Sequence, residues 1–276
     1  MRPYLLGLYE KSMPNELSIP EKLKASKKAG FDYLELSIDE TDEKLQRLSW
    51  SKDEIKKIVD AMWKNEIPIK SICLSGHRRY PLGDIEHQEK SLDIMQKAIN
   101  LASLLGVRII QLAGYDVYYK TGNKKTMEVF LTNLEKCTDM AAREGIVLAF
   151  ETMETAFMNT VEKALSTINY IGSPYLQIYP DIGNLTNAAL LYDRDVLEDL
   201  RLGKNHISAL HIKETKPDIY REVTYGEGHV KFEPMILLAM KMGVRMYVGE
   251  FWYTGQKDWL STLQRNHDFL RSLFIY

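Results

Sequence analysis

Short apolar runs and longer amphipathic segments alternate along the whole chain. Eight short runs are rich in Val, Ile, Leu and Tyr, at residues 4–10, 33–37, 67–74, 108–113, 147–151, 176–179, 207–212 and 246–250. Several are apolar on successive positions, as in strands that are buried on both faces of a parallel sheet. Segments with helical periodicity lie between and after them, at 19–29, 52–65, 87–105, 124–144, 161–170, 194–202, 233–242 and 257–274.

The ends of these segments carry helix signals. Ser51 precedes Glu54 by the spacing of a capping box. A glycine follows four of the helical segments, where a left-handed C-terminal residue belongs, at Gly30, Gly106, Gly145 and Gly243. The order of helix end, glycine and strand therefore recurs as a weak internal repeat.

Eight alternating β and α units predict a parallel sheet that closes into a (β/α)8 TIM barrel of the α/β class. Such a barrel takes about 250 residues, so one domain over residues 1–276 would use nearly the whole chain. The alternative is an open doubly wound sheet, which normally carries a glycine-rich phosphate turn after its first strand. The chain has no G-x-G-x-x-G and no Pro/Gly/Ser-rich linker, which favours the single barrel.

Composition narrows the function classes. The net charge of -2 provides no basic surface for nucleic acid or an anionic membrane. No apolar run reaches the roughly 18–20 residues of a membrane span, and residues 1–9 do not resemble a signal peptide. We therefore expect a cytoplasmic protein with neither a nucleic-acid nor a membrane partner. Cys73 and Cys137 lie in apolar segments and are expected to be buried free thiols.

Polar side chains end the last four predicted strands. These are Glu151, Asp181, His211 and Glu250, spaced 30, 30 and 39 residues apart. One βα unit takes roughly 30 residues, so consecutive units place them on one rim, the C-terminal rim on which barrel active sites lie. A single carboxylate there often caps a strand or pairs at the surface, but four suitable residues in successive units indicate a site.

This set of residue types favours a metal. Three converging carboxylates repel one another and their burial would raise their pKa values, a conflict that a divalent cation resolves. Mn²⁺, Co²⁺, Mg²⁺ and Zn²⁺ all fit, and the set of ligands alone does not choose between them. Such an ion can chelate adjacent oxygens of a 2-ketose and stabilise an enediolate. Glu151 and Glu250, across the barrel mouth, could then exchange a proton on opposite faces as the catalytic pair.

Seven segments along the chain together resemble a known family. They are LGLYEK (6–11), ELSIDETDEKLQRLSW (35–50), CLSGHRRYPLG (73–83), QLAGYDVYY (111–119), YPDIGN (179–184), HIKETKP (211–217) and YGEGHVKFE (225–233). In this order they resemble the sugar-phosphate epimerase branch of the xylose isomerase-like barrels, a superfamily that also contains the endonuclease IV-type enzymes. Within it the chain is most similar to the L-ribulose-5-phosphate 3-epimerases, also described as L-xylulose-5-phosphate 3-epimerases.

The resemblance implies a metal-dependent C3 epimerisation of a ketopentose 5-phosphate in pentose or L-ascorbate catabolism. It implies that the four rim residues are the metal ligands, that Glu151 and Glu250 are the acid/base pair, and that the enzyme is a homodimer. The phosphate is expected to bind basic residues in the loops after the third and seventh strands, and other polar residues are expected to contact the sugar. The predicted substrate contacts are His77, Arg78, Arg79, Glu154, Asn184, Lys213 and Lys216.

Two carboxylates have no clear role in this pattern. Glu10 and Glu35 also lie near strand ends, but a carboxylate that orients a metal ligand and a solvated one look alike in sequence.

Three other functions remain open. A repair nuclease of the same superfamily would need a histidine-rich metal cluster and a basic face, whereas two of the six histidines fall in predicted helices. Another sugar isomerase, epimerase or dehydratase could use the same metal site. A non-enzymatic binding protein with a vestigial site would fail to bind metal.

Overall fold

Eight parallel strands form the centre of the computed structural model, which describes residues 3–274. Their bounds are β1 Leu5–Tyr9, β2 Tyr33–Ile38, β3 Ile69–Leu74, β4 Ile109–Ala113, β5 Val147–Glu151, β6 Leu176–Tyr179, β7 Leu210–Ile212 and β8 Met246–Gly249. All eight predicted strands are present. The seventh is shorter than the predicted 207–212, because Ile207 makes only an isolated bridge to Ile178.

The strands pair in chain order, and β1 also pairs with β8. Two single bridges between the neighbourhoods of β6 and β7, Ile178–Ile207 and Asp181–His211, complete the ring. The result is a nearly closed (β/α)8 barrel, as the repeating pattern predicts. The prediction of one domain over residues 1–276 stays a prediction.

Ten helices surround the strands in the described part of the chain. They are α1 Ile19–Lys28, α2 Asp42–Gln46, α3 Lys52–Asn65, α4 Gln88–Leu105, α5 Lys124–Arg143, α6 Val161–Ile171, α7 Ile182–Tyr192, α8 Val196–Leu202, α9 Phe232–Lys241 and α10 Trp259–Ser272. Each of the eight predicted helices has a counterpart. The capping box of Ser51 and Glu54 begins α3, and Gly106 ends α4 with a φ of 72°.

Two helices, α2 and α7, were not predicted. α2 has only five residues, too few to display a helical period. α7 begins directly after Asp181, whose side chain accepts a hydrogen bond from the backbone N–H of Asn184. Its sequence IGNLTNAALLY contains no charged residue, so no polar stripe reveals the helical period.

Side chains alternate between two layers along each strand. Outward residues such as Leu6 and Leu34 pack against the helices in the main core. Inward residues such as Tyr33 and Tyr179 fill the barrel interior with a second cluster. Successive strand residues point to opposite faces, so the residues two positions beyond Tyr33 and Tyr179, Glu35 and Asp181, also face inward.

Candidate active site and metal centre

Four buried side chains meet at the C-terminal rim of the barrel. Glu151 is the last residue of β5, His211 lies in β7, and Glu250 directly follows β8. Asp181 follows β6 by two residues and forms the N-cap of α7, so the start of a helix fixes its carboxylate. One ligand atom from each of the four lies within 4.8 Å of the others. The structure therefore brings the four predicted ligands together.

The charges in this group are unevenly balanced. His211 Nδ1 lies 3.0 Å from Glu250 Oε2 and 3.5 Å from Glu151 Oε1. Lys213 Nζ lies 2.7 Å from Asp181 Oδ2. Burial raises the pKa of Asp181 to about 7 despite this lysine. Burial also opposes ionisation of Glu250, but Lys213 and His211 outweigh it and lower the pKa of that carboxyl.

The group fits a cation because it leaves buried polar atoms without well-directed hydrogen bonds. These atoms are Asp181 Oδ2, His211 Nδ1 and Glu250 Oε2. Buried polar atoms are normally satisfied, and exceptions often mark a missing ion. Three carboxylates and one imidazole are donors that suit Mn²⁺, Zn²⁺, Mg²⁺ or Co²⁺. The described residues therefore contain a candidate site for one divalent metal ion.

Glu35 fixes the orientation of His211. Its Oε1 lies 2.6 Å from His211 Nε2, and its Oε2 accepts hydrogen bonds from Ser71 Oγ and Tyr179 Oη, each at 2.7 Å. A carboxylate bound to one imidazole nitrogen holds the proton there and leaves the other nitrogen free for a metal. Here the free nitrogen is Nδ1, which faces the two glutamates. In the sequence, this role is indicated by the position of Glu35 on β2, where the alternation of side chains points it into the barrel.

Gln111 performs a similar task for Glu151. It lies on β4, whose neighbour β5 carries Glu151, and its side-chain amide donates a short hydrogen bond to Glu151 Oε2. Neither Gln111 nor its partner is exposed. This amide was not predicted, because a glutamine inside a strand has no distinctive spacing.

A cavity of about 200 Å³ opens beside this site, with Glu151 and Glu250 of the four candidate ligands in its wall. Four of the seven predicted substrate contacts line it: Arg78, Glu154, Asn184 and Lys213. Asn184 donates to the Thr152 carbonyl at 2.7 Å, so its amide is held in place. Cys73 also lines the cavity, with its thiol 3.8 Å from Tyr9 Oη, and burial raises the pKa of that thiol.

The other three predicted contacts lie elsewhere. His77 is buried with Nε2 3.1 Å from the Ser91 carbonyl of α4, and burial lowers its pKa to about 4. Arg79 points away to Asp42, 2.7 Å distant on the surface. Lys216 pairs through its backbone with Ile219 in the loop after β7. Arg78 ends a short 3-10 turn at Ser75–Arg78, and Arg79 directly follows it.

Two cations of the cavity wall were not predicted. Arg221 Nη2 lies 2.7 Å from Glu154 Oε1, which also accepts a hydrogen bond from Tyr118 Oη at 3.0 Å. Lys11 follows β1, and its Nζ lies 2.5 Å from Asp39 Oδ2. Arg221 belongs to the long loop between β7 and α9, where no periodicity fixes a side chain's direction.

Residues 23–273 match the family described as the xylose isomerase-like TIM barrel, and the chain belongs to that family. It is 40% identical over 270 residues to the L-ribulose-5-phosphate 3-epimerase UlaE of Escherichia coli (strain SMS-3-5 / SECEC), covering 97% of this chain and 94% of that relative. The match to these epimerases confirms the predicted resemblance.

Solved structures show the same fold at low identity. D-psicose 3-epimerase from Clostridium cellulolyticum H10 superposes with a TM-score of 0.82 at 15% identity, covering 99% of this chain and 100% of that one. A structure of L-ribulose 3-epimerase gives 0.76 at 16% identity, covering 98% and 94%. At these identities the likeness concerns the fold alone.

Within residues 3–274, no helix combines the length and the apolar character that crossing a bilayer requires.

Proposed function

We propose that the chain is an L-ribulose-5-phosphate 3-epimerase, an isomerase that inverts C3 of a ketopentose 5-phosphate and so interconverts L-ribulose and L-xylulose 5-phosphates. The observation that carries this proposal is the convergence of four candidate ligand atoms within 4.8 Å at the barrel rim. The similarity to epimerases of that name over 97% of the chain supports the choice of substrate.

Glu151, Asp181, His211 and Glu250 would hold one divalent ion, with Zn²⁺ or Mn²⁺ as the first candidates and Mg²⁺ or Co²⁺ as the others. When bound, such an ion supplies Lewis-acid polarisation of the ketose carbonyl, which acidifies the neighbouring C–H bond.

Glu151 and Glu250 are the proposed proton carriers. They lie at the ends of β5 and β8, three strands apart around the ring, and so approach the cavity from different sides. One removes the C3 proton, which leaves a planar carbon, and the other returns a proton to the opposite face. Gln111 fixes the Glu151 carboxylate, and Lys213 keeps the pKa of Glu250 low enough for it to act as a base.

Arg78, Glu154, Asn184 and Lys213 are the proposed substrate contacts among the cavity residues. Glu154 lies between Tyr118 and Arg221, a mixed set of donors and acceptors that suits sugar hydroxyls. The homodimer and the cytoplasmic location stay predictions that rest on the resemblance and on the sequence.

The decisive experiment follows the C3 proton of L-ribulose 5-phosphate by NMR in deuterated water with Zn²⁺ or Mn²⁺ supplied. We expect deuterium at C3 and the appearance of L-xylulose 5-phosphate. Glu151→Gln should slow both by about 10²- to 10⁴-fold, because it removes one proton carrier. The matched control is Glu135→Gln on the exposed face of α5, which should exchange at the wild-type rate.

Undiminished exchange in Glu151→Gln would contradict the assignment of that carboxylate as a proton carrier. The product decides between the proposal and its alternatives on the same metal site. An aldose pentose phosphate would indicate an isomerase, and a dehydrated product would indicate a dehydratase.

A further inference from the structure

A long loop between β7 and α9 supplies part of the wall of the active-site cavity. It runs over residues 213–231 and folds back on itself through an isolated bridge between Lys216 and Ile219. Two of its residues, Lys213 at its start and Arg221 in its middle, line the cavity. A loop of this length that carries functional side chains needs contacts of its own to keep a fixed shape.

The buried Glu214 carboxylate ties the two ends of this loop together. Its Oε1 accepts hydrogen bonds from the backbone N–H groups of Thr215 and Val230, each at 3.1 Å. Its Oε2 accepts a hydrogen bond from the backbone N–H of Gly226 at 3.0 Å. A carboxylate is a strong acceptor for backbone N–H groups, and this one binds donors from both the outgoing and the returning part of the loop.

The returning part of the loop packs directly on this carboxylate. A Cβ at Gly228 would collide with Glu214 Oε1 and with the Thr215 carbonyl oxygen, so only glycine allows so close an approach. The next residue, His229, donates its backbone N–H to the same carbonyl at 3.0 Å, and its Nε2 lies 3.1 Å from Thr215 Oγ1. We call these contacts among Glu214, Thr215 and residues 226–230 the Glu214 clasp.

The middle of the loop, residues 217–224, lies beyond the Glu214 clasp and is mostly exposed. The backbone N–H of Asp218 donates to Asn187 Oδ1 at 3.1 Å, and Arg221 Nη2 lies 2.7 Å from Glu154 Oε1. Within this exposed stretch it is Arg221 that lines the cavity. The position of its guanidinium therefore depends on how firmly the two ends of the loop are held.

We propose that Glu214 is a positioning residue that acts through Arg221. By holding the ends of the loop together, it keeps the Arg221 guanidinium in the cavity wall, where the N–H groups of that side chain can bind an oxygen of the substrate. Glu214 is not itself part of the cavity wall. The proposal rests on the proposed epimerase function only for the identity of the substrate, and the rigidity of the loop can be measured without turnover.

The first test measures amide hydrogen exchange in the loop of the metal-loaded protein by NMR. Glu214→Gln keeps the size of the side chain but replaces one acceptor oxygen with a donor, which cannot bind a backbone N–H. We expect the amides of Thr215, Gly226 and Val230 to exchange about tenfold faster, while those of the barrel strands keep their protection. Glu227→Gln, at an exposed position of the same loop, is the matched control and should exchange as wild type does. Unchanged protection of the loop in Glu214→Gln would overturn the proposal.

The second test measures KM and kcat for L-ribulose 5-phosphate. Arg221→Gln should raise KM by about tenfold and change kcat less, because it removes a contact made in the ground state and the transition state alike. Glu214→Gln should also raise KM in the wild-type background, but it should have little further effect once Arg221 is replaced, because it acts through that residue. Effects on KM that multiply in the double variant would show that Glu214 does not act through Arg221, and would overturn the proposal.

Gly228→Ala is a second variant that leaves the carboxylate intact. Its added methyl group collides with Glu214 and displaces the returning part of the loop, so it should reproduce the faster exchange and the higher KM. It carries both tests if Glu214→Gln does not fold, and wild-type exchange and KM in Gly228→Ala would contradict the role of the Glu214 clasp. If the loop amides respond as expected while no ketose phosphate is turned over, the Glu214 clasp stands and the epimerase function fails.

Discussion

Two groups of buried charges lie close together at the barrel mouth, and they are unbalanced in opposite directions. In the candidate metal centre, Glu151, Asp181 and Glu250 face one histidine and one lysine. In the Glu10 group, the buried Glu10 carboxylate faces three cations, Lys22, Lys44 and Arg47. Both groups lie at the C-terminal ends of the strands, so position in the fold does not distinguish them.

The two groups differ in the sign of the charge that is in excess. Burial raises the pKa of Asp181 to about 7, with Glu250 adding to the effect and Lys213 opposing it. Burial opposes ionisation of Glu10 as well, but Arg47 and the two lysines hold its pKa far below the usual range. An acidic excess suits a metal cation, whereas the three cations around Glu10 already share one carboxylate among them. Of the two clusters, the acidic one is therefore the candidate site for a cation.

Of the changes that test this difference between the two groups, removing the metal should have the largest effect. Chelation is expected to lower C3 proton exchange by about a thousandfold, because several kcal/mol of transition-state stabilisation are lost. The same treatment should lower the melting temperature, since a ligand of the folded state stabilises it. Readdition of Zn²⁺ or Mn²⁺ should restore both, and a chelated protein with full activity would contradict the metal site.

Glu10→Gln should be the next most severe change. It leaves Lys22, Lys44 and Arg47 buried without their common anion, at an expected cost of about 3–5 kcal/mol in the free energy of unfolding. Denaturant unfolding of wild type and variant measures this loss of unfolding free energy. Glu135→Gln on the exposed face of α5 is the comparison, and a loss no larger than its loss would show that the cations do not depend on Glu10.

Glu35→Gln should weaken metal binding by about 10- to 100-fold, because His211 loses the carboxylate that orients it. Competition with a chelator of known affinity reports this without any catalytic assay. Glu35→Asp keeps the charge and should recover part of the loss. Equal metal affinity in all three proteins would show that His211 needs no such support.

The smallest effect concerns acid pH. The pKa of Glu10 is depressed in the folded protein, so its stabilisation is fully present above its ordinary value of 4.5 and declines as the pH falls below it. The difference in unfolding free energy between wild type and Glu10→Gln should therefore be larger at pH 5 than at pH 3. Below pH 4.5 it should shrink by at most about 1.4 kcal/mol per pH unit, and a difference that stays constant there would contradict the assignment.

The sequence predicted the barrel and the four rim residues because both follow from spacing. A βα unit has a nearly constant length, so Glu151, Asp181 and His211 could be placed on one rim without coordinates. Glu35 was within reach of the same reasoning, since its position on β2 alternates with outward-facing residues.

The substrate contacts were less accessible because they lie in loops. Arg78 lines the cavity, whereas its neighbour Arg79 pairs with Asp42 on the surface. Arg221 reaches the site from a loop, and Lys11 lies just beyond the end of β1. At neither position does a helix or strand periodicity predict the direction of the side chain. The charge excess around Glu10 was equally hidden, because Lys22, Lys44 and Arg47 come from two separate helical segments and the turn after the second.

The two cysteines have a practical consequence. Cys73 lines the cavity but its thiol pKa is raised by burial, and burial raises the pKa of Cys137 in α5 to about 12. Only thiolates react readily with alkylating agents and oxidants, so the folded protein should keep its activity in air without a reductant. A maleimide would then label the chain only when it opens. The rate of labelling would then report how often the protein opens and exposes its thiols.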